Sequence, residues 1–100
     1  MNTIISDLNK IFDSRIRLGI MAALSVNDFL DFKTLKEVLG ITDGNLASHL
    51  KALEKNDLVK VRKQFIGRKP NTAYSISRLG GEMFQQHINA LEKFITPLQT

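Results

Sequence analysis

"KTLKEVLGITDGNLASHLKALEKND", residues 33–57, reads as two helices with almost nothing between them. In the first, Leu35, Val38 and Leu39 recur at helical spacing and are expected to face inward. Gly40 then ends the helix, because it is the residue that most readily takes the positive φ of a helix terminus. Thr42 stands where an N-cap is needed, and Leu46, Leu50 and Leu53 follow at spacings of four and three, one stripe along a second helix. Two helices joined by the short connection "GIT" make a helix-turn-helix.

The pattern extends in both directions. Upstream, "RIRLGIMAALS" (15–25) has apolar residues around much of its surface, as a central core helix would, with Asp13 or Ser14 as its cap. Before it, "TIISDLNKIF" (3–12) places Ile4, Ile5, Leu8, Ile11 and Phe12 at helical spacing. "VNDFLDF" (26–32) is a polar and aromatic connection whose Phe29, Leu30 and Phe32 are expected to plug the core.

Downstream of Asp57 the period changes to alternation. "LVKVRKQF" (58–65) sets Val59 and Val61 against Lys60 and Arg62, and "TAYSI" (72–76) supplies Tyr74 and Ile76 opposite the valines, which predicts a two-stranded hairpin. Its loop, "IGRKPN" (66–71), reads as longer than a tight two-residue turn. Ser77 caps a last helix over "RLGGEMFQQHINALEKFI", which must stop before Pro97. The expected fold is mainly α with a small β-hairpin (α+β). It is one domain over residues 1–100, with terminal helices at about 2–12 and 78–96.

Composition bounds the function. Hydrophobic residues are 43% and charged residues 24% of 100 residues, the balance of a single globular domain. Without cysteine there is no disulfide, thiolate metal site or nucleophilic thiol. The start lacks a basic stretch leading into an apolar run, and no segment has the ~20 apolar residues of a membrane span, so a soluble, cytoplasmic protein is expected. Net charge is +4, and its placement is uneven. Residues 42–78 hold Lys51, Lys55, Lys60, Arg62, Lys63, Arg68, Lys69 and Arg78 against Asp43, Glu54 and Asp57, whereas the flanking segments are neutral or slightly acidic. Such a concentration suits a polyanion.

On a wheel of about 100° per residue, the face of the 43–55 helix opposite its leucines displays Gly44, Asn45, Ser48, Lys51, Ala52 and Lys55. Small side chains admit a helix to the major groove, Asn and Ser can bond base edges or phosphates, and Lys neutralises phosphate charge. The free N–H groups at its start, by Thr42, add a place for phosphate. A β-ribbon beside such a helix can reach the adjoining minor groove or backbone, which gives Arg68 and Lys69 a purpose, with Lys63 and Asn71 at its base available to phosphates.

The order "RIRLGIMAAL", "DFKTLKEVLGITDGNLASHLKALEKNDLVKVRKQFIGRKPNTAYSIS" and "RLGGEMF" resembles the winged-helix transcriptional regulators of the MarR and ArsR type. It is most similar to the short single-domain group whose recognition helix begins with a Thr-Asp-Gly-Asn-Leu run, and the similarity spans about residues 10–90. The resemblance implies a dimeric DNA-binding regulator with Asn45, Ser48, His49 and Lys51 in the recognition helix and Arg68 and Lys69 in the wing. It supplies no effector, and the Cys ligands of ArsR-like metal sensors are missing.

His49 and His87 read as boundary packing or phosphate-contact residues and not as metal ligands, no cofactor is indicated, and no group of residues makes a catalytic arrangement. The terminal segments carry more apolar surface than so small a domain needs. Ile4, Ile5, Leu8, Ile11 and Phe12, together with Phe84, Ile88, Leu91 and Ile95, are therefore expected to build a two-fold homodimer. The reading is a repressor that occupies duplex DNA as a homodimer; its rival is a winged helix used as a protein–protein interaction module.

Overall fold

The structure, a computed structural model, describes residues 8–97. After a 3-10 turn, Lys10–Phe12, come α1 (Arg15–Ser25), β1 (Leu30–Asp31), α2 (Phe32–Leu39), α3 (Asp43–Lys55), β2 (Val59–Ile66), β3 (Lys69–Ile76) and α4 (Arg78–Ile95). Each α-helix starts on a side chain that accepts the N–H three residues on: Ser14 from Arg17, Asp31 from Thr34, Thr42 from Asn45 and Ser77 from Gly80. Gly40 closes α2 in the left-handed conformation at φ 63. Asp57 does the same beyond α3 at φ 59, with Leu58 N–H bonded to Leu53 C=O and Asp57 N–H to Glu54 C=O, a complete Schellman closure.

The leucine stripe of α3 meets α1 and α2 in one core. Leu46, Leu50 and Leu53 pack with Ile20, Met21, Leu24, Leu35, Leu58, Val59, Phe84 and Phe12, all buried. Here α4 crosses the start of β2 so closely that a Cβ on Gly80 would lie 2.0 Å from the Leu58 carbonyl oxygen. Only glycine leaves that oxygen room, and it also accepts the Ser77 N–H at 3.0 Å.

Several expectations need correction. The first is the helix over 2–12: its described end is a 3-10 turn, because Asn9 is extended and its side chain caps Ile11 N–H, which interrupts any helix passing through it. Residues 2–7, including Ile4 and Ile5, lie outside the described part. The hairpin belongs to a three-stranded antiparallel sheet in the order β1-β3-β2, since Leu30 and Asp31 pair with Tyr74 and Ala73. The wing turn is only Gly67-Arg68, with Gly67 at φ 64 and Arg68 outside the positive-φ region, the pattern of a type II′ hairpin turn.

Lys69 and Pro70 therefore sit in β3, opposite Ile66 and Phe65. Pro70 is tolerated because the pair next to a two-residue turn's bonded pair does not exchange hydrogen bonds, and two-residue β1 does not reach its other side. Val38 is 65% exposed, because the buried face of α2 runs through Phe32, Leu35 and Leu39 and Val38 lies off it. Phe29, at 48%, does not plug the core as Leu30 and Phe32 do.

Candidate nucleic-acid interface

Burying the leucines of α3 turns its other side outward. Gly44, Asn45, Ser48, Lys51 and Lys55 are exposed, and Ala52 is half-buried. Thr42 is exposed too, but its hydroxyl oxygen already accepts Asn45 N–H at 3.2 Å. Two charged groups from other helices converge on α3. Lys36 pairs with Asp43 at 2.8 Å in the first turn, offsetting an acid that would repel phosphate. Arg17 Nε donates to His49 Nδ1 at 3.0 Å, so Nδ1 serves as an acceptor and Nε2 is the ring nitrogen left to donate. Neither Lys36 nor Arg17 was assigned from sequence; their contacts depend on how α1 and α2 pack, and no local pattern announces them.

The ribbon, β2 and β3, carries Lys60, Arg62, Lys63, Arg68 and Lys69 and no acid. Lys63, Arg68 and Lys69 are exposed, and among the described residues none is in an ion pair. Arg62 is held differently, its guanidinium 3.9 Å from the centre of the Phe29 ring. Asn71, expected at the base of the wing, is half-buried there, and its amide is already engaged: Gln64 Nε2 donates to its oxygen at 3.0 Å, and its nitrogen donates to Asp31 at 3.2 Å.

Asp31 consequently joins the wing to the helix-turn-helix. One carboxylate oxygen accepts Thr34 N–H at 2.8 Å and the other accepts Asn71. Thr34, through its side chain and its backbone N–H, holds the Asp31 carboxyl below the ordinary carboxylate value, with smaller help from Asn71 and Lys33. Opposite, burial pushes the Tyr74 phenol up, and the charge of Glu54 adds to the shift.

The surface expected to bind a second copy divides in two. Phe12 and Phe84 are buried inside the protomer, ring to edge at 5.9 Å, and Phe12 also meets His87 at 5.1 Å. His87 is itself buried and accepts Asn9 N–H on Nδ1 at 3.1 Å, so it is a packing residue. Leu8, Ile11 and Ile88 are half-buried. Along the end of α4, by contrast, Leu91, Phe94 and Ile95 are exposed, Ile95 by 82%.

A helix-turn-helix followed by a cationic ribbon defines a winged helix, and comparison with known proteins agrees. The chain belongs to the winged helix DNA-binding domain family, whose model matches residues 16–95. It is 39% identical over 79 residues to an uncharacterized protein of Methanocaldococcus jannaschii, covering 79% of this chain and 86% of that one. Among solved structures, a transcriptional regulator homologue from Pyrococcus horikoshii superposes with a TM-score of 0.75 at 36% identity, over 90% of this chain and 94% of that chain. A mutant E. coli MarR, solved in complex with operator DNA, has the same fold at a TM-score of 0.75 and 13% identity, over 91% of this chain and 64% of its own. The winged-helix resemblance read from the sequence is borne out in family and fold. No helix of the described residues is long and apolar enough to cross a membrane.

Proposed function

We propose that the protein is a sequence-specific transcription regulator that binds duplex DNA as a homodimer and represses by occupying its operator. The observation that carries the reading is the juxtaposition of a small, polar, outward α3 face with an acid-free ribbon. In this reading α3 lies in the major groove: Asn45 and Ser48 meet base edges, and Lys51, Lys55 and His49 Nε2–H meet phosphates. The wing follows the backbone into the minor groove behind Arg68. Asn71 acts as a brace between wing and α2, because its amide is engaged within the chain.

The homodimer is supported by the exposed stripe Leu91, Phe94 and Ile95, which a second copy would cover. A two-fold pair would set its recognition helices about 34 Å, one DNA turn, or a multiple of it apart. The test is selection of bound fragments from a random duplex pool, followed by mobility shifts at low and raised salt. The expected result is a pseudo-palindromic consensus and binding that weakens steeply with salt. Failure to shift any duplex in dilute buffer contradicts the function, and a monomer in sedimentation equilibrium contradicts the dimer.

A further inference from the structure

The end of the ribbon is apolar as well as cationic. Phe65 is 72% exposed and Ile66 60%, both immediately before the Gly67-Arg68 turn. Successive strand residues point to opposite faces, so Phe65 with Pro70 forms one cheek of the tip and Ile66 with the methylenes of Lys69 forms the other. Side chains this large, held in water on both sides of a strand pair, contribute nothing to the core below. Their surroundings indicate what covers them: Lys63, Arg68 and Lys69 frame the tip and no acid lies in the ribbon, so the complementary surface is anionic.

We propose that Phe65 and Ile66 form a wedge that enters the minor groove of duplex DNA behind Arg68, presses on sugars and base edges, and opens the groove. The inference rests on the DNA-binding reading above and deepens it. A minor groove is about 6 Å wide, whereas a strand pair spaced by about 4.8 Å, with bulky side chains on both faces, is wider than that. Entry therefore requires the groove to open, and apolar wedges that do this bend the duplex. The cost is lowest at pyrimidine–purine steps, which unstack easily, so the wedge selects flexible steps under the wing without hydrogen-bonding a base. The favoured ligand is a duplex with such a step beside the major-groove site of α3.

The experiment uses a duplex of about 30 base pairs selected by the parent protein and labelled at both ends for energy transfer. The comparison variant is Phe65→Thr with Ile66→Thr, which keeps strand propensity at two exposed positions and whose folding is checked by thermal melting. The parent should shorten the end-to-end distance. The variant should bind about 10-fold more weakly or worse without bending, with an unchanged salt slope because no charge was removed. Phe65→Leu with Ile66→Leu should restore the bend.

Bending and affinity equal to the parent's in the threonine variant overturn the wedge. So does a parent that binds its duplex without bending it. Tighter binding of the parent to phosphatidylglycerol vesicles than to DNA, lost in the threonine variant, assigns the tip to a membrane surface and overturns the proposal. Loss of self-association in that variant assigns it to a second copy, with the same consequence. If the parent binds no duplex at all in dilute salt, the DNA-binding reading itself fails.

Discussion

The two candidate DNA-facing surfaces are built on opposite plans. Behind the polar face of α3 stand Leu46, Leu50 and Leu53, none more than 2% exposed, so the position of that face is fixed by the core. The outer ribbon, from Phe65 to Pro70, has every residue exposed and gives none to the buried core of the described residues. It is held at its base alone, where Ala73 is buried, Arg62 lies over Phe29, and Asn71 bonds to Asp31. The difference teaches that stability and the proposed binding should be separable: changes under α3 are expected to act on folding first, and changes at the ribbon tip on the DNA proposed as its ligand.

The strongest way to break this comparison is to remove a leucine from beneath α3. Leu50→Ala should lower the unfolding free energy by about 2–5 kcal/mol, while Phe65→Ala at the ribbon end should stay within about 0.5 kcal/mol of the parent, both read by denaturant titration. Equal losses at the two sites would show that the tip is packed after all.

Charge at the tip gives the next largest effect. Arg68→Ala with Lys69→Ala should leave the melting temperature nearly unchanged, weaken binding to all duplexes alike, and lower the slope of log affinity against log salt by about one to two. Asn45→Ala, on the rigid face, should instead change which bases are selected, by about 1–3 kcal/mol at the position it reads. A tip variant that alters base preference while α3 variants do not would reverse the assignment.

The smallest effect tests the joint between the two plans. Asp31 caps α2 and braces the wing as a carboxylate, and its folded pKa lies below its usual value near 3.8. A depressed carboxylate contributes stability that is fully present above the unfolded value and disappears as pH falls through the folded one. Asp31→Ala should therefore cost about 1 kcal/mol near neutral pH, and the gap to the parent should close as pH is taken below about 4. A gap that stays constant down to acid conditions would mean that the carboxylate charge is not what braces the wing.

How much of this could be read in the sequence follows from the range of each interaction. The caps Ser14, Thr42 and Ser77, the Gly40 terminus and the α3 stripe are local signals, and the structure has them all. The outward α3 residues were legible for the same reason, since three buried leucines fix the opposite face. What escaped was long-range or too short to carry a pattern. Two-residue β1 exists because β3 offers Leu30 and Asp31 an edge at Tyr74 and Ala73, and no period is visible in Leu30-Asp31. Arg17 reaches His49, Asn71 reaches Asp31, and His87 reaches Asn9 across 32, 40 and 78 residues. The wing turn reads as longer than it is because Pro70 has the character of a loop residue, although its missing N–H falls where no strand could have used it.

The most direct test is amide chemical-shift mapping during titration with a duplex selected by the protein. Signals of Gly44, Asn45, Ser48 and Lys51 on α3 and of Gly67 and Arg68 on the turn should move together, with one midpoint and one stoichiometry. Movement of only one set, or of neither while the duplex is bound elsewhere, would show that the helix face and the ribbon do not hold the same piece of DNA.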